Sequence, residues 1–223
     1  MIKLIATDMD GTLLDSQGNM DDEIYDIIEK LKEIGIRFVA ASGRQLMSLK
    51  KRFVPVDDDV IYIAENGGYA VYRDRELYLN ALDRNTVNDI LETAGEVKGA
   101  SVFLCGKTYA YTDKPELAEL MRKPIFGYEI KCIQSLMDID EDIFKIGLFD
   151  TTDPRESLSL IHILGRFYRH VLIEGNFPHH GAVAFGNFGK LLFEVFKYIG
   201  VPAEDIGYNR PAGVLYNTEN PWK

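Results

Sequence analysis

The chain has 223 residues, a formal net charge of −10, 46% hydrophobic residues and two cysteines. That length accommodates one large domain or a core with a second domain inserted, and that apolar share can fill a core. The acidity excludes nucleic acid and anionic membrane as general partners, while leaving room for a local basic pocket that takes a phosphate. Cys105 and Cys132 do not make a disulfide framework; both are expected as small buried residues in a reducing cytoplasm. No apolar run is long enough for a membrane span, and neither a signal peptide nor an internal repeat is expected.

The first element is Leu4-Ile5-Ala6-Thr7-Asp8-Met9-Asp10-Gly11-Thr12-Leu13-Leu14. Its unbroken apolar start reads as a buried strand, which Gly11 ends, so Asp8 and Asp10 fall at the strand's carboxyl end. Open α/β sheets put their chemistry there. If the chain stays extended through both aspartates, their side chains point the same way. Two like charges that close need compensation, and Mg²⁺, which favours hard oxygen ligands, is the expected counter-charge. Gly11 and Thr12 can offer backbone N–H groups and a hydroxyl to a bound phosphate.

A polar loop, Asp15–Asn19, leads to a predicted helix over Asp21–Ile34, whose Ile24, Ile27, Ile28, Leu31 and Ile34 share one face. Gly35 ends it. Arg37–Ala41 is a second buried strand, and Ser42-Gly43-Arg44 follows at its carboxyl end. Strand, helix and strand in this order build a parallel sheet. Ser42 can donate to a phosphoryl oxygen; it can equally cap the short helix predicted over Gln45–Phe53, with Gln45 completing a capping box. Pro55–Asp59 reads as a solvated acidic loop. Val60–Ala64 is a third strand running into Glu65-Asn66-Gly67-Gly68, where Asn66 either faces a substrate or serves a turn by tolerating positive φ. Tyr69–Tyr72 and Glu76–Leu79 form a hairpin.

From residue 81 to 185 the pattern changes. Helices are predicted over Thr86–Val97, from Pro115 to Met121 and over Pro154–Phe167. Strands are predicted over Ala100–Cys105, Thr108–Tyr111, Phe144–Phe149 and His170–Glu174, the first pair joined by a Gly106-Lys107 turn. Hairpins with helices between them suggest an α+β domain of its own. Lys123, Lys131 and Lys145 are read as surface lysines able to meet a charged substrate, and His179-His180 as a loop rather than a metal site. A last amphipathic helix opens at Phe188-Gly189-Lys190 and buries Leu191, Leu192, Val195, Phe196 and Ile199.

The strings D-M-D-G-T-L-L, S-G-R, E-N-G-G and Lys190 with the following G-V-P-A-E-D-I resemble the haloacid dehalogenase superfamily, and within it the Cof-type branch of sugar-phosphatase-like members. The resemblance implies an α/β fold: a Rossmann-like parallel-sheet core over 1–80 and 186–223, and an inserted α+β cap over 81–185. It implies Mg²⁺-dependent hydrolysis of a small phosphorylated metabolite through an aspartyl-phosphate. Asp8 would be the nucleophile and Asp10 the general acid and base, both expected at the metal. Met9, Gly11, Ser42, Gly43 and Lys190 would bind the phosphate, and Arg44 and Asn66 the substrate. The resemblance covers residues 1 to about 206 and stops before the fourth motif, G-D-x-x-N-D, which the sequence lacks. Weaker metal binding, a rearranged C-terminus or a homo-oligomer through the open edge of the core sheet is expected from that loss. The rival reading is a phosphoester-binding protein with little activity.

Overall fold

The computed structural model describes residues 2–15, 17–96, 99–124, 126–150 and 171–173. The chain divides into two compact units between Leu79 and Asn80.

The first unit is built on one sheet in the order β1-β2-β3-β4-β5. Its strands are β1 (Leu4–Asp8), β2 (Arg37–Ala41), β3 (Val60–Ala64), β4 (Tyr69–Tyr72) and β5 (Arg75–Leu79). The first three are parallel, with Asp8 opposite Ala41 and Ala41 opposite Ile63, so their carboxyl ends fall together. The hairpin of β4 and β5 closes the sheet antiparallel through Arg73, at φ 54°. Every residue of β3 is buried, as an uninterrupted apolar run in the middle of a sheet should be.

Helices α1 (Glu23–Glu33) and α2 (Leu46–Lys50) pack on one face of this sheet. Phe38, Phe53 and Tyr62 make a ring chain there, with centroids 6.1 and 6.0 Å apart. Such pairs add about 0.5–1.5 kcal/mol each beyond the apolar area they bury. The stretch Pro55–Asp59, expected as a solvated loop, lies in a 3₁₀ turn, Val54–Asp59, with structural work to do. Asp59 pairs with Lys32 at 2.7 Å, Asp57 accepts from the buried Tyr62 hydroxyl at 2.7 Å, and Lys50 lies 3.3 Å from Asp57. The acidic run thus ties both helices to β3.

The second unit carries the sheet β10-β9-β6-β7-β8. Its strands are β6 (Ala100–Cys105), β7 (Ala110–Thr112), β8 (Ile130–Cys132), β9 (Lys145–Asp150) and β10 (Val171–Ile173), with helices α3 (Arg84–Gly95) and α4 (Pro115–Met121). Strand β6 is antiparallel to both neighbours, β7 and β9. Four residues, 106–109, connect β6 to β7 instead of a two-residue turn, closed by Gly106 N–H on the Tyr109 carbonyl at 2.9 Å. Strand β7 therefore starts two residues later than expected.

Two further expectations are corrected in this unit. Lys145 is not a surface lysine: it is 1% exposed and its ammonium donates to the Tyr128 hydroxyl at 2.8 Å. Strand register explains this, because Lys145 lies opposite the buried Cys105. Cys132 is exposed rather than buried, on β8 at the sheet edge. Lys123 and Lys131 are exposed as expected, with the Lys131 ammonium 3.4 Å from the Tyr109 ring centre. The predicted helices over 154–167 and from 188, and His179-His180, lie outside the described residues. Among the described residues no helix is long and apolar enough to cross a membrane.

Candidate active site

Strand β1 ends at Asp8, and the chain then winds back on itself: the Met9 carbonyl accepts from Leu13 and Leu14 at 3.0 and 2.8 Å. Gly11 sits at φ 74°, the left-handed conformation that this winding needs and that glycine adopts without strain. Met9 is fully buried in the core while Asp8 and Asp10 are exposed. The in–out alternation of an extended chain thus carries one residue past the strand, and both carboxylates leave on the solvent side. Beyond them Asp15 closes its loop by accepting from the N–H groups of Gln17 and Asn19, each at 2.8 Å.

The carboxyl of Asp8 accepts from its neighbour Met9 N–H at 2.8 Å through Oδ1. Its pKa is raised above the ordinary value. Partial desolvation is the main cause and the charge of Asp10 adds to it, against the lowering pull of the Met9 N–H and of Arg44. Asp10 is held differently. Arg44 grips it with a fork, Nε on Oδ2 at 3.0 Å and Nη2 on Oδ1 at 2.7 Å.

At the end of β2, Ser42 is buried and its Oγ accepts from Arg44 N–H at 3.1 Å. The capping alternative is not what forms: Gln45, not Ser42, is the N-cap of α2, and it makes no side-chain cap bond. With its oxygen accepting from the turn, the Ser42 hydroxyl proton is what it can offer a ligand. At the end of β3, Glu65 and Asn66 both adopt left-handed backbone, φ 52° and 55°. For residues with a Cβ that conformation costs of order 1–3 kcal/mol each and is found at functional sites more than elsewhere. A Cβ on Gly43 would overlap the Asn66 amide oxygen, so this glycine is what lets the two loops touch.

Asp8, Met9, Asp10, Gly11, Ser42, Gly43, Arg44 and Asn66 thus come from three neighbouring strand ends of one sheet edge. Lys190 lies outside the described residues. Sequence reasoning missed Glu65, which is 3% exposed and donates its N–H to the Arg44 carbonyl at 3.0 Å. A charged residue closing an all-apolar strand was the available signal. Two hard-oxygen carboxylates beside each other suit Mg²⁺, which needs only one or two carboxylates when substrate oxygens and water complete its shell. Among the described residues no group of three or more His, Cys, Asp or Glu is placed to hold a metal. Asp10 carries the Arg44 fork on its two oxygens, and that guanidinium offsets part of the like charge there.

A sequence model of the haloacid dehalogenase-like hydrolases matches residues 5–186. The chain belongs to this family. The matched range takes in residues 8–66, where these strand ends lie. Among curated relatives, the 5-amino-6-(5-phospho-D-ribitylamino)uracil phosphatase YbjI of Escherichia coli is 30% identical over 149 residues, which is 66% of this chain and 55% of that protein. The chain thus matches about half the length of that relative. A haloacid dehalogenase-like hydrolase from Bacteroides thetaiotaomicron superposes with a TM-score of 0.74 at 19% identity, covering 92% of this chain and 80% of the other. The subclass IIB sugar phosphatase BT4131 superposes at 0.65 and 15% identity, over 91% and 78%. These likenesses fix the fold as the α/β haloacid dehalogenase-like one.

Proposed function

We propose that the chain is a Mg²⁺-dependent phosphatase of small phosphomonoesters, sugar or polyol phosphates, acting through an aspartyl-phosphate on Asp8. The observation that carries this reading is the meeting of Asp8, Ser42 and the Arg44–Asp10 pair at three adjacent carboxyl ends of one sheet. The name of the E. coli relative, a phosphatase of a phosphoribityl compound, supports the polyol class.

An Asp8 carboxylate oxygen attacks phosphorus as the bond to the leaving oxygen breaks, which divides one hard step into two. Asp10 gives its proton to that leaving oxygen, and later takes one from the water that attacks the aspartyl-phosphate. Ser42 and the N–H groups from Met9 to Gly11 hold the equatorial oxygens, with Gly43 leaving space beside them and Asn66 facing the substrate. Lys190 adds positive charge in this reading. Mg²⁺, held by Asp8 and Asp10, would supply Lewis-acid neutralisation of the phosphoryl charge.

We assign residues 1–80 with 186–223 to the core that performs this chemistry, and 81–185 to a cap that selects the leaving group. A reducing cytoplasm is the compartment this fits, with neither Cys105 nor Cys132 in a disulfide. The outer edge of β1, which has one strand neighbour among the described residues, is where a homo-oligomer would form. Light scattering of the pure protein checks that contact.

Phosphate release from p-nitrophenyl phosphate and a panel of sugar and polyol phosphates, with and without Mg²⁺, tests the function. Metal-dependent release supports it. Calorimetric binding of the same esters with no turnover would replace it with a phosphoester-binding protein.

A further inference from the structure

Arg44 ties together all three loops of the site. Its own N–H is bound to Ser42 Oγ at 3.1 Å, and its carbonyl accepts the Glu65 N–H at 3.0 Å. Its side chain crosses to Asp10, 34 residues away in the chain, and meets both carboxylate oxygens. The guanidinium side chain is 15% exposed, whereas that of Asp10 is 56% exposed. Exposed ion pairs are usually worth little. Here, however, one partner is mostly buried and fixed through its backbone, and a two-point fork sets the plane of a carboxylate as well as its position. Arg44 is the fixed member of the pair and Asp10 the guided one.

We propose that Arg44 is a positioning residue that aims the Asp10 carboxyl at the leaving oxygen, rather than a ligand of the substrate. This rests on the reading of Asp10 as the proton donor. The chemistry makes the role separable. When phosphorus–oxygen cleavage expels a sugar alkoxide, the oxygen must receive a proton as the bond breaks. When it expels p-nitrophenolate, a stable anion, no proton is needed. Misaiming Asp10 therefore harms the first reaction and largely spares the second, whereas removing a phosphate ligand harms both alike.

The test compares wild type with Arg44→Lys and Arg44→Gln, by kcat/KM for hexose phosphates and for p-nitrophenyl phosphate. General-acid catalysis is worth roughly 100-fold or more. The expected result is therefore a loss on the order of 100-fold with hexose phosphates and several-fold with the aryl ester. Equal losses on both substrates, whether through KM or through lowered folding stability, would overturn the proposal. A second arm needs no turnover: the Arg44 Nε–H resonance, read by NMR, should move and exchange faster in Asp10→Asn. A resonance indifferent to that substitution would overturn the pairing. A wild-type chain that releases phosphate from no ester would overturn the phosphatase reading and this role with it. Active wild type with equal losses in the variants would overturn only the role of Arg44.

Discussion

The two sheets have five strands each and differ in where the reversed strand lies and in where polar groups face. In the first, β1, β2 and β3 run parallel, so three carboxyl ends and the loops after them open on one edge, and the polar side chains there face outward or one another. In the second, β7, β8, β9 and β10 run one way and the central β6 runs against them, so the parallel ends are split into two pairs with β6 between. Its notable polar pair, Lys145 with Tyr128, is turned inward, and the Tyr128 ring meets Phe103 edge-on at 5.4 Å. Three adjacent parallel ends gather chemistry at one edge of the first sheet, whereas the second, its parallel pairs parted by β6, turns its polar pair into the packing. Substitutions should therefore fall on turnover in the first unit and on folding in the second.

The largest expected effect is that of Asp8→Asn, which should reduce phosphate release to background while the fold persists. Because Asp8 has a raised pKa, its ionisation opposes folding: the stability it permits is full below the unfolded pKa and is lost as pH rises through the folded one. Asp8→Asn should consequently melt slightly higher than wild type at neutral pH in metal-free buffer, as calorimetry would show. Retained turnover, or a collapse of stability, would erase the contrast between the units.

The second unit should respond the other way to Gly147→Ala. Gly147 lies opposite Phe103 across the β6–β9 ladder, and a Cβ there would run into the Phe103 ring. Overpacking of this kind costs about 1–3 kcal/mol, read as a shift of the denaturation midpoint. Phosphate release per folded molecule should stay near wild type. Gly43→Ala sharpens the comparison within the first unit: displacing Asn66 should lower kcat/KM by roughly tenfold, about 1.4 kcal/mol of transition-state binding, with a smaller change in melting than Gly147→Ala causes.

What the sequence discloses follows from how local each cause is. Strands β1, β2 and β3 are uninterrupted apolar runs ended by glycine or polar residues, and they stand where their patterns place them. Asp8, Ser42 and Asn66 were visible because each follows such a run. Strand β8 was not, because it is three residues long and only Ile130 of them is buried. The burial of Lys145 was hidden too, since it depends on register with a strand 40 residues earlier. The grip of Arg44 on Asp10 likewise joins loops that only the β1–β2 pairing brings together, and no local rule reports it.

The smallest effect belongs to a helix cap. Asp83 caps α3: the Thr86 hydroxyl donates to its carboxyl, the Thr86 N–H does so at 3.0 Å, and these two bonds, the hydroxyl's first, hold the carboxyl below its usual pKa. A depressed pKa contributes stability above the unfolded value that is lost as pH falls through the folded one. Asp83→Ala should therefore lower the melting temperature modestly at neutral pH, with the gap to wild type closing in acid, and leave phosphate release unchanged.

The most direct measurement quenches the chain during turnover of a phosphoester, reduces it with borohydride and maps the peptide containing residue 8 by mass spectrometry. An aspartyl-phosphate is reduced to homoserine, whereas an ordinary carboxylate is not. Homoserine at position 8, absent without substrate and absent in Asp8→Asn, is expected. Sustained phosphate release with an unmodified Asp8, or homoserine at another aspartate, would contradict the assignment of Asp8 as the nucleophile.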